Sequence, residues 1–333
     1  MADLYPLLML PSFDPRPWGA RDLSPIYPNH QFAEKIGEAW FTGDDCQVAN
    51  APFAGKTLAQ LSNQYQRDLV GDTARDPKRF PLLAKFLFPH EKLSVQVHPD
   101  DEQALRMGQP WGKTECWYVL HAKPGAQIAL GLKRGSTAAQ LEEAIQEKRA
   151  EQLLNWLDVS AGDMIYVAGG TVHTLGPGSV LVEIQQQSDI TYRLYDYGRG
   201  RELHLREGMA AVKERGASGK VVRSAAAKSS GGKNWREILV AAPYFVVDRF
   251  EAKEAFELST HDDSGRSSVQ ILVATEGCGV IEVSGGESVT LAKGDAVVVP
   301  ACLDRFSVRP QWTLEFIRGY VPGTMLPEPD TRI

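Results

Sequence analysis

The segment "LSVQVHPDD" (residues 93–101) combines the alternation of a β-strand with side chains that could bind a metal ion. Leucine and valine occupy one face, and the other face carries Ser94, Gln96 and His98. Because successive strand side chains point to opposite sides, Gln96 and His98 point the same way. A lone histidine in a strand is usually a hydrogen-bonded structural residue, so a metal site here requires further ligands elsewhere in the chain.

A second predicted strand, "GKTECWYVL" (residues 112–120), places Lys113, Glu115 and Trp117 on one face. Such a charged pair could belong to a solvated sheet edge. Glu115, however, is flanked by aromatic and aliphatic residues, which indicates a partly buried carboxylate. A buried carboxylate needs a partner, and a cation or a metal ion is the usual one.

The segment "AGDMIYVAGGTVHTLGPG" (residues 161–178) supplies a second histidine. A strand ends in a tight Gly-Gly turn, and the chain returns through His173. This pattern resembles the cupin motif, in which a Pro/Gly turn leads to a metal-binding histidine. The sequence departs from that motif twice, because Gln96 stands where a histidine is common and Ala168 replaces the turn proline.

Two histidines, one glutamate and one amide oxygen form a borderline-to-hard site for a divalent ion. Zn²⁺ is the natural occupant, with Mn²⁺, Fe²⁺ and Co²⁺ as alternatives. No thiolate closes the site, so positions remain open for water or substrate, as in catalytic sites. The predicted metal ligands are Gln96, His98, Glu115 and His173.

The four segments "RPWG", "LSVQVHPDD", "GKTECWYV" and "GGTVHTLGPGSVLVEIQQQSDITYRLYDYGR" together resemble the type I mannose-6-phosphate isomerases in their short bacterial form. Their order and spacing match that family from residue 16 to about residue 200. The resemblance implies an enzyme of mannose and carbohydrate metabolism, an aldose–ketose isomerase (an intramolecular oxidoreductase) that interconverts mannose 6-phosphate and fructose 6-phosphate. It also implies one Zn²⁺ per chain, held by the four ligands named above.

The resemblance assigns catalytic roles to three residues. Arg193 matches the essential arginine beside the sugar, Glu183 an active-site acid, and Lys113 the lysine that precedes a ligand glutamate. The reaction moves a proton between neighbouring carbons through a cis-enediol, whose negative oxygen needs an electrophile such as zinc or a nearby cation. The base remains open among a zinc-bound water, Glu183, Lys113 and the neighbours of His173.

The resemblance also implies contacts with the substrate away from the metal. Ser94 and Lys85 fall where the family binds the substrate phosphate, with Arg199 or Arg201 as further candidates. Trp18, in "RPWG", matches an aromatic residue near the mouth of the pocket. Holding the remote phosphate would use binding energy to position the reacting end of the sugar.

The elements that must position these residues are mostly short strands. Helical spacing of apolar residues predicts helices over residues 56–70 and 136–157, the second of which opens on a Ser/Thr pair suited to N-capping. The segment "LAKGDAVVVPA" (residues 291–301) repeats the signature of "VSAGDMIYVAG" (residues 159–169). We therefore expect a mainly β protein of two cupin-type (jelly-roll) β-barrels with a few helices.

A small, polar and basic segment without large apolar residues, residues 217–234, predicts a linker. Residues 1–216 would then form a catalytic, metal-binding cupin domain with helical insertions. Residues 235–333 would form a second cupin-like barrel, expected to be metal-free because "EGCGVIEVSGG" offers no histidine pair.

Composition narrows the possible partners. The 333 residues carry a net charge of −6 without a basic run, which argues against nucleic-acid binding. We found neither a signal peptide nor about 18 consecutive apolar residues, and so expect a cytoplasmic protein without a membrane partner. The substrate would be a small sugar phosphate and the protein a monomer or weak homodimer. The cysteines are scattered and predict neither disulfides nor a thiolate site: Cys46, Cys116, Cys278 and Cys302.

Three alternatives remain at this point. An iron-dependent cupin dioxygenase would usually carry two histidines in the first motif and would leave Lys113 and Arg193 without a purpose. A non-catalytic sugar-binding or regulatory cupin would have little reason to keep four ligands together with Arg193. An isomerase acting on another phosphorylated aldose is compatible with every residue named.

Overall fold

The computed structural model describes residues 4–223, 228–262 and 264–333. Within these ranges, no helix is long and apolar enough to cross a membrane. The predicted linker, residues 217–234, is described except for residues 224–227, and its described part contains two short strands. The described helices, numbered in chain order, are α1 Leu58–Tyr65, α2 Arg67–Val70, α3 Asp101–Arg106, α4 Ala138–Gln146 and α5 Leu205–Ala211, with 3₁₀ turns at Ala150–Leu153 and Ala301–Leu303.

Both predicted helices begin at a threonine cap, which the sequence analysis expected only for the second, and neither runs its predicted length. Thr57 and Thr137 each accept a hydrogen bond from the backbone three residues later and form capping boxes. The first helix breaks at Gln66, where φ is 46°. The second prediction is wrong beyond α4, because residues 154–158 form a strand whose apolar side chains pair with a neighbouring strand.

An eight-stranded sheet forms one layer of the first barrel. Its strands, in spatial order, are β2 Ser12–Asp22, β3 Gln31–Trp40, β4 Leu82–Leu87, β11 Ser179–Gln186, β6 Glu115–Ala122, β9 Met164–Val167, β13 Gly219–Val221 and β22 Thr331–Arg332. A five-stranded sheet forms the other layer. Its spatial order is β12 Tyr192–Tyr195, β5 Val95–Val97, β10 His173–Leu175, β7 Gln127–Leu132 and β8 Leu154–Asp158.

A nine-stranded sheet forms the second barrel, so the expected mainly β fold is confirmed. Its main path is β1 Leu7–Leu8, β20 Ala296–Val299, β18 Gln270–Glu282, β21 Arg305–Tyr320, β16 Val246–Ala252, β15 Asn234–Ala241 and β14 Lys228–Gly231, with β17 Phe256–Ser259 on β21 and β19 Val289–Ala292 on β18. The two ends of the chain cross between the barrels. The early strand β1 pairs with β20, and the final strand β22 pairs with β13. The domain limits at residues 216 and 235 stay a prediction.

The register of the first barrel brings the polar residues of the predicted site into its interior. In the five-stranded sheet, Arg193 and His173 lie on either side of Gln96 as direct cross-strand partners. In the eight-stranded sheet, Lys85 lies opposite Glu183. Directly opposed side chains of antiparallel strands share a face, so each row points in one direction. Apolar side chains from both sheets pack around them in a core that includes Leu93, Trp117, Ile128, Leu175 and Leu181.

Candidate metal centre and active site

Three predicted ligands form a compact, buried cluster. Candidate ligand atoms of His98, Glu115 and His173 all lie within 4.8 Å of one another. Glu115 stands between the two rings, with Oε2 3.5 Å from His98 Nε2 and Oε1 3.2 Å from His173 Nε2. Each side chain is about 1% exposed.

Hydrogen bonds to backbone carbonyls determine which imidazole nitrogen of His98 and of His173 remains available to bind a metal ion. His98 Nδ1 donates a hydrogen bond to the carbonyl of Ile190 at 2.7 Å, and His173 Nδ1 donates to that of Thr171 at 2.9 Å. Burial lowers the pKa of both imidazoles, that of His173 to about 4, so both rings are neutral near pH 7. A neutral ring protonated at Nδ1 presents the lone pair of Nε2, which is the arrangement of a metal-binding histidine.

The cluster fits a divalent cation. His98 Nε2 is buried and has no hydrogen-bond partner among the described residues, and the buried Glu115 Oε2 has only ion-pair neighbours, the nearest being the Lys113 ammonium at 3.1 Å. Unpaired buried polar atoms are costly, and a cation between them would remove that cost. The fourth predicted ligand, Gln96, lies beside them, with its amide nitrogen 3.2 Å from His173 Nε2. Rotating the Gln96 amide by 180° would put its oxygen, Oε1, where the amide nitrogen now lies and turn it toward the candidate ligands.

The cluster adjoins a cavity of about 410 Å³. The cavity wall brings together the other predicted site residues, although they come from positions far apart in the sequence. Those that line it are Trp18, Lys85, Ser94, Gln96, Lys113, Glu183, Arg193 and, of the two further phosphate candidates, Arg201. Leu87, Leu93, Trp117 and Leu175 supply apolar surface. A cavity of this size with few apolar walls and many charges suits a small, polar ligand.

Charges of alternating sign run along the wall from the candidate metal ligands. Lys113 Nζ lies 3.1 Å from Glu115 Oε2 and 3.9 Å from Glu183 Oε1. Glu183 Oε1 is 3.3 Å from Lys85 Nζ, while its Oε2 accepts a hydrogen bond from the indole of Trp117 at 3.0 Å. Burial raises the pKa of the Glu183 carboxyl despite the two lysines. Burial alone would lower the pKa of Lys85. The negative charges of Glu183 and of another carboxylate outweigh this effect and raise the pKa of Lys85 above its usual value.

That other carboxylate is Glu38, which the sequence analysis missed. Its Oε2 lies 3.5 Å from Lys85 Nζ and 3.4 Å from the Arg16 guanidinium, and accepts a hydrogen bond from the Trp40 indole at 2.7 Å. Burial opposes ionisation of Glu38, but Lys85 and Arg16 lower its pKa to about 2. The sequence did contain an indication that Glu38 is buried. In "GEAW" (residues 37–40) this acid stands among small and aromatic residues, as Glu115 stands among aromatic and aliphatic ones.

Arg193 differs from the other cations of the cavity. Its Nη1 donates to the carbonyl of Glu202 at 2.8 Å, and its buried Nε has no partner among the described residues. Within that part of the chain, no carboxylate lies within ion-pair distance of it, whereas Arg201 is paired with Asp196. Burial, together with the positive charge of Arg201, lowers the pKa of the Arg193 guanidinium. Arg199 bonds to the carbonyl of Lys92 instead of lining the cavity.

Comparison with known proteins gives a consistent result. Residues 20–109 match the family model for the catalytic domain of type I phosphomannose isomerase. A mannose-6-phosphate isomerase of Streptococcus mutans is 32% identical over 306 residues, which cover 89% of this chain and 92% of that protein. The mannose-6-phosphate isomerase ManA of Bacillus subtilis is 38% identical over 218 residues, covering 62% of this chain and 68% of the relative.

Solved structures agree with the sequence relatives. The crystal structure of a mannose 6-phosphate isomerase from Bacillus subtilis superposes with a TM-score of 0.83 at 30% identity, covering 95% of this chain and 99% of that chain. A zinc-bound mannose 6-phosphate isomerase has a TM-score of 0.71 at 16% identity, covering 95% and 99% of the two chains, and shares the fold. Both barrels therefore have counterparts in solved proteins.

Proposed function

This chain belongs to the type I mannose-6-phosphate isomerase family, and from that membership we propose that it interconverts mannose 6-phosphate and fructose 6-phosphate. The observation that carries the proposal is the buried His98–Glu115–His173 cluster beside a charged cavity of about 410 Å³. Membership in this family also favours an aldose–ketose isomerase over a dioxygenase or a non-catalytic sugar-binding protein.

We propose one Zn²⁺ per chain as the cofactor. Gln96, His98, Glu115 and His173 would hold it, and their nitrogen and oxygen donors suit zinc. Bound zinc would supply a Lewis acid that polarises the sugar oxygens at the reacting carbons. The zinc-bound relative of the same fold supports this choice of metal.

The chain itself would handle the proton and the developing charge. Glu183 Oε1 is buried without a hydrogen-bond partner among the described residues, and the raised pKa of its carboxyl suits a group that takes and returns a proton. The Lys113 ammonium, 3.9 Å from the same oxygen, would supply positive charge to a cis-enediol intermediate. The Arg193 guanidinium, which has no carboxylate at ion-pair distance among the described residues, would do the same. Ser94 and Trp18 line the same cavity and would contact the rest of the sugar phosphate.

A coupled assay tests the proposal. Formation of fructose 6-phosphate from mannose 6-phosphate is followed with protein as purified, after chelation, and after addition of Zn²⁺, Mn²⁺ or Fe²⁺. We expect activity that disappears on chelation and returns most fully with Zn²⁺. The variant His98→Ala serves as a control that lacks one ligand and should not recover. Folded, metal-loaded protein without turnover would contradict the proposal.

A further inference from the structure

The strand β2 contains an arch that enters the cavity. Pro15 and Ala20 both pair with Ile36, so residues 16–19 form a bulge outside the ladder. Residues 15–18 line the cavity. The arch can approach β3 only because residue 19 is glycine, since a Cβ there would lie 2.3 Å from the backbone of Ile36.

Arg16 is the charged residue of this arch, and two carboxylates fix its orientation. Asp14 forms a bidentate ion pair with it, with Oδ1 3.0 Å from Nη1 and Oδ2 2.6 Å from Nη2. Glu38 Oε2 lies 3.4 Å from Nη2. The side chain remains 30% exposed on the cavity wall. A guanidinium has five N–H donors, so these contacts leave donors free for a ligand, in an orientation already fixed before binding.

Lys85, the lysine that the family resemblance places at the substrate phosphate, has a different environment. Its side chain is 4% exposed, and its ammonium stands between Glu38 and Glu183 and over the ring of Trp40 at 4.5 Å. Both cations are paired with two carboxylates, but the Lys85 side chain is almost fully buried, whereas the Arg16 side chain is 30% exposed and keeps free N–H donors. Arg16 is more accessible, and it shares the cavity with Arg193 and Arg201.

We propose that Arg16 binds the phosphate group of the substrate, and that Glu38 is a positioning residue that holds the Arg16 guanidinium toward the cavity. The inference rests on the proposed isomerase function and adds a binding residue to it. Arginine is suited to this role because its planar donors match phosphate oxygens in pairs. Arg193 and Arg201 supply further positive charge around the same volume.

Two quantities test the role of Arg16: the KM for mannose 6-phosphate and the inhibition constant of inorganic phosphate as a competitor. We expect Arg16→Ala to raise both by about 10- to 100-fold, as for the loss of a charge-assisted hydrogen bond, with kcat changed by less than about threefold. Arg16→Lys keeps the charge without the paired donors and should give an intermediate increase. Arg249→Ala removes a comparable ion-paired arginine, 2.6 Å from Glu315 in the second barrel, and serves as the matched control.

The positioning role of Glu38 has its own readout. Glu38→Gln should raise the inhibition constant of phosphate in the wild-type background and leave it unchanged in an Arg16→Ala background, since it acts through that arginine. Equal effects in both backgrounds would overturn the positioning role.

Unchanged KM and inhibition constants in Arg16→Ala, in protein with wild-type zinc content and melting temperature, would overturn the inference. A larger increase of the phosphate inhibition constant in Lys85→Met than in Arg16→Ala would also overturn it, in favour of the lysine. Both results leave the isomerase function standing, because they require an active wild-type enzyme. Inactive wild-type protein would instead contradict the proposed function.

Discussion

Replacing Lys85 by methionine should destabilise the protein strongly. Methionine keeps the length of the side chain and its contact with the Trp40 ring but removes the ammonium between Glu38 and Glu183. Removing one partner from a buried ion pair costs about 3–5 kcal/mol, because the remaining charge stays buried without compensation. Glu38 keeps Arg16 at 3.4 Å, so we expect the lower end of that range, about 3 kcal/mol.

The destabilisation should depend on pH through Glu183. Burial already raises the pKa of this carboxyl, and the loss of Lys85, which lowers that pKa, should raise it further. A carboxyl whose pKa is higher in the folded than in the unfolded protein stabilises the fold at low pH, where it is protonated. This contribution to the free energy of unfolding is lost as the pH rises through the folded-state pKa. The deficit of Lys85→Met should therefore be largest near pH 8 and shrink as the pH falls toward 5.

Urea denaturation at pH 8 and pH 5 measures the effect. The double variant Lys85→Met/Glu183→Gln should recover part of the lost stability at pH 8, with a coupling within about 0.5–3 kcal/mol. Lys92→Met, which removes a more exposed pair at 2.8 Å from Glu151, is the control and should cost less than about 1 kcal/mol. A pH-independent deficit, together with additive effects in the double variant, would refute the account of Lys85 as a neutralising cation.

Three further predictions concern the metal, turnover and the arch. Arg193→Ala should retain its metal, measured by elemental analysis, and lower kcat by about 100-fold or more; loss of metal with normal turnover per bound metal would contradict this role. Glu115→Gln should weaken zinc binding in a chelator competition, because a charged ligand becomes neutral, whereas Cys116→Ala, on the opposite strand face, should bind zinc normally. Gly19→Ala should lower the free energy of unfolding by about 1–3 kcal/mol and raise KM, because its Cβ would meet the Ile36 backbone; an unchanged KM would separate the arch from substrate binding.

The sequence predicted those site residues that strand alternation places on one face. Gln96 and His98 could be paired from the sequence because residues two apart point the same way. The structure puts both at the predicted cluster, and their role as ligands stays a prediction. The same local logic failed for residues 154–158, where apolar spacing suited a helix equally well. These residues form a strand because they pair with β7, and a short stretch of sequence does not show which distant strand it will pair with.

The sequence placed Trp18, in "RPWG", near the pocket but did not show that Arg16 and Glu38 meet at the cavity wall, for the same physical reason. The strand of Arg16, β2, reaches the cavity by pairing with β3, and the strand of Glu38, β3, reaches it by pairing with β4, where Trp40 lies opposite Lys85. More than forty residues separate these partners in the chain. Nothing in the composition around residue 38 specifies which strand it will join, although its apolar neighbours indicate burial.

The register of one sheet explains why the charges of the site alternate. Four neighbouring strands, β3, β4, β11 and β6, contribute to its interior face in that order. Glu38, Lys85 and Glu183 come from the first three of these strands, and Lys113 lies two residues before the start of the fourth. A slip of one residue in any pairing would turn a buried charge outward and leave its neighbours unpaired, so the charges that serve the chemistry also specify the register. The chain of contacts runs from Arg16 to Glu115, so substitutions within it should be non-additive. Such coupling would link the proposed phosphate contact at one end to the proposed metal ligands at the other.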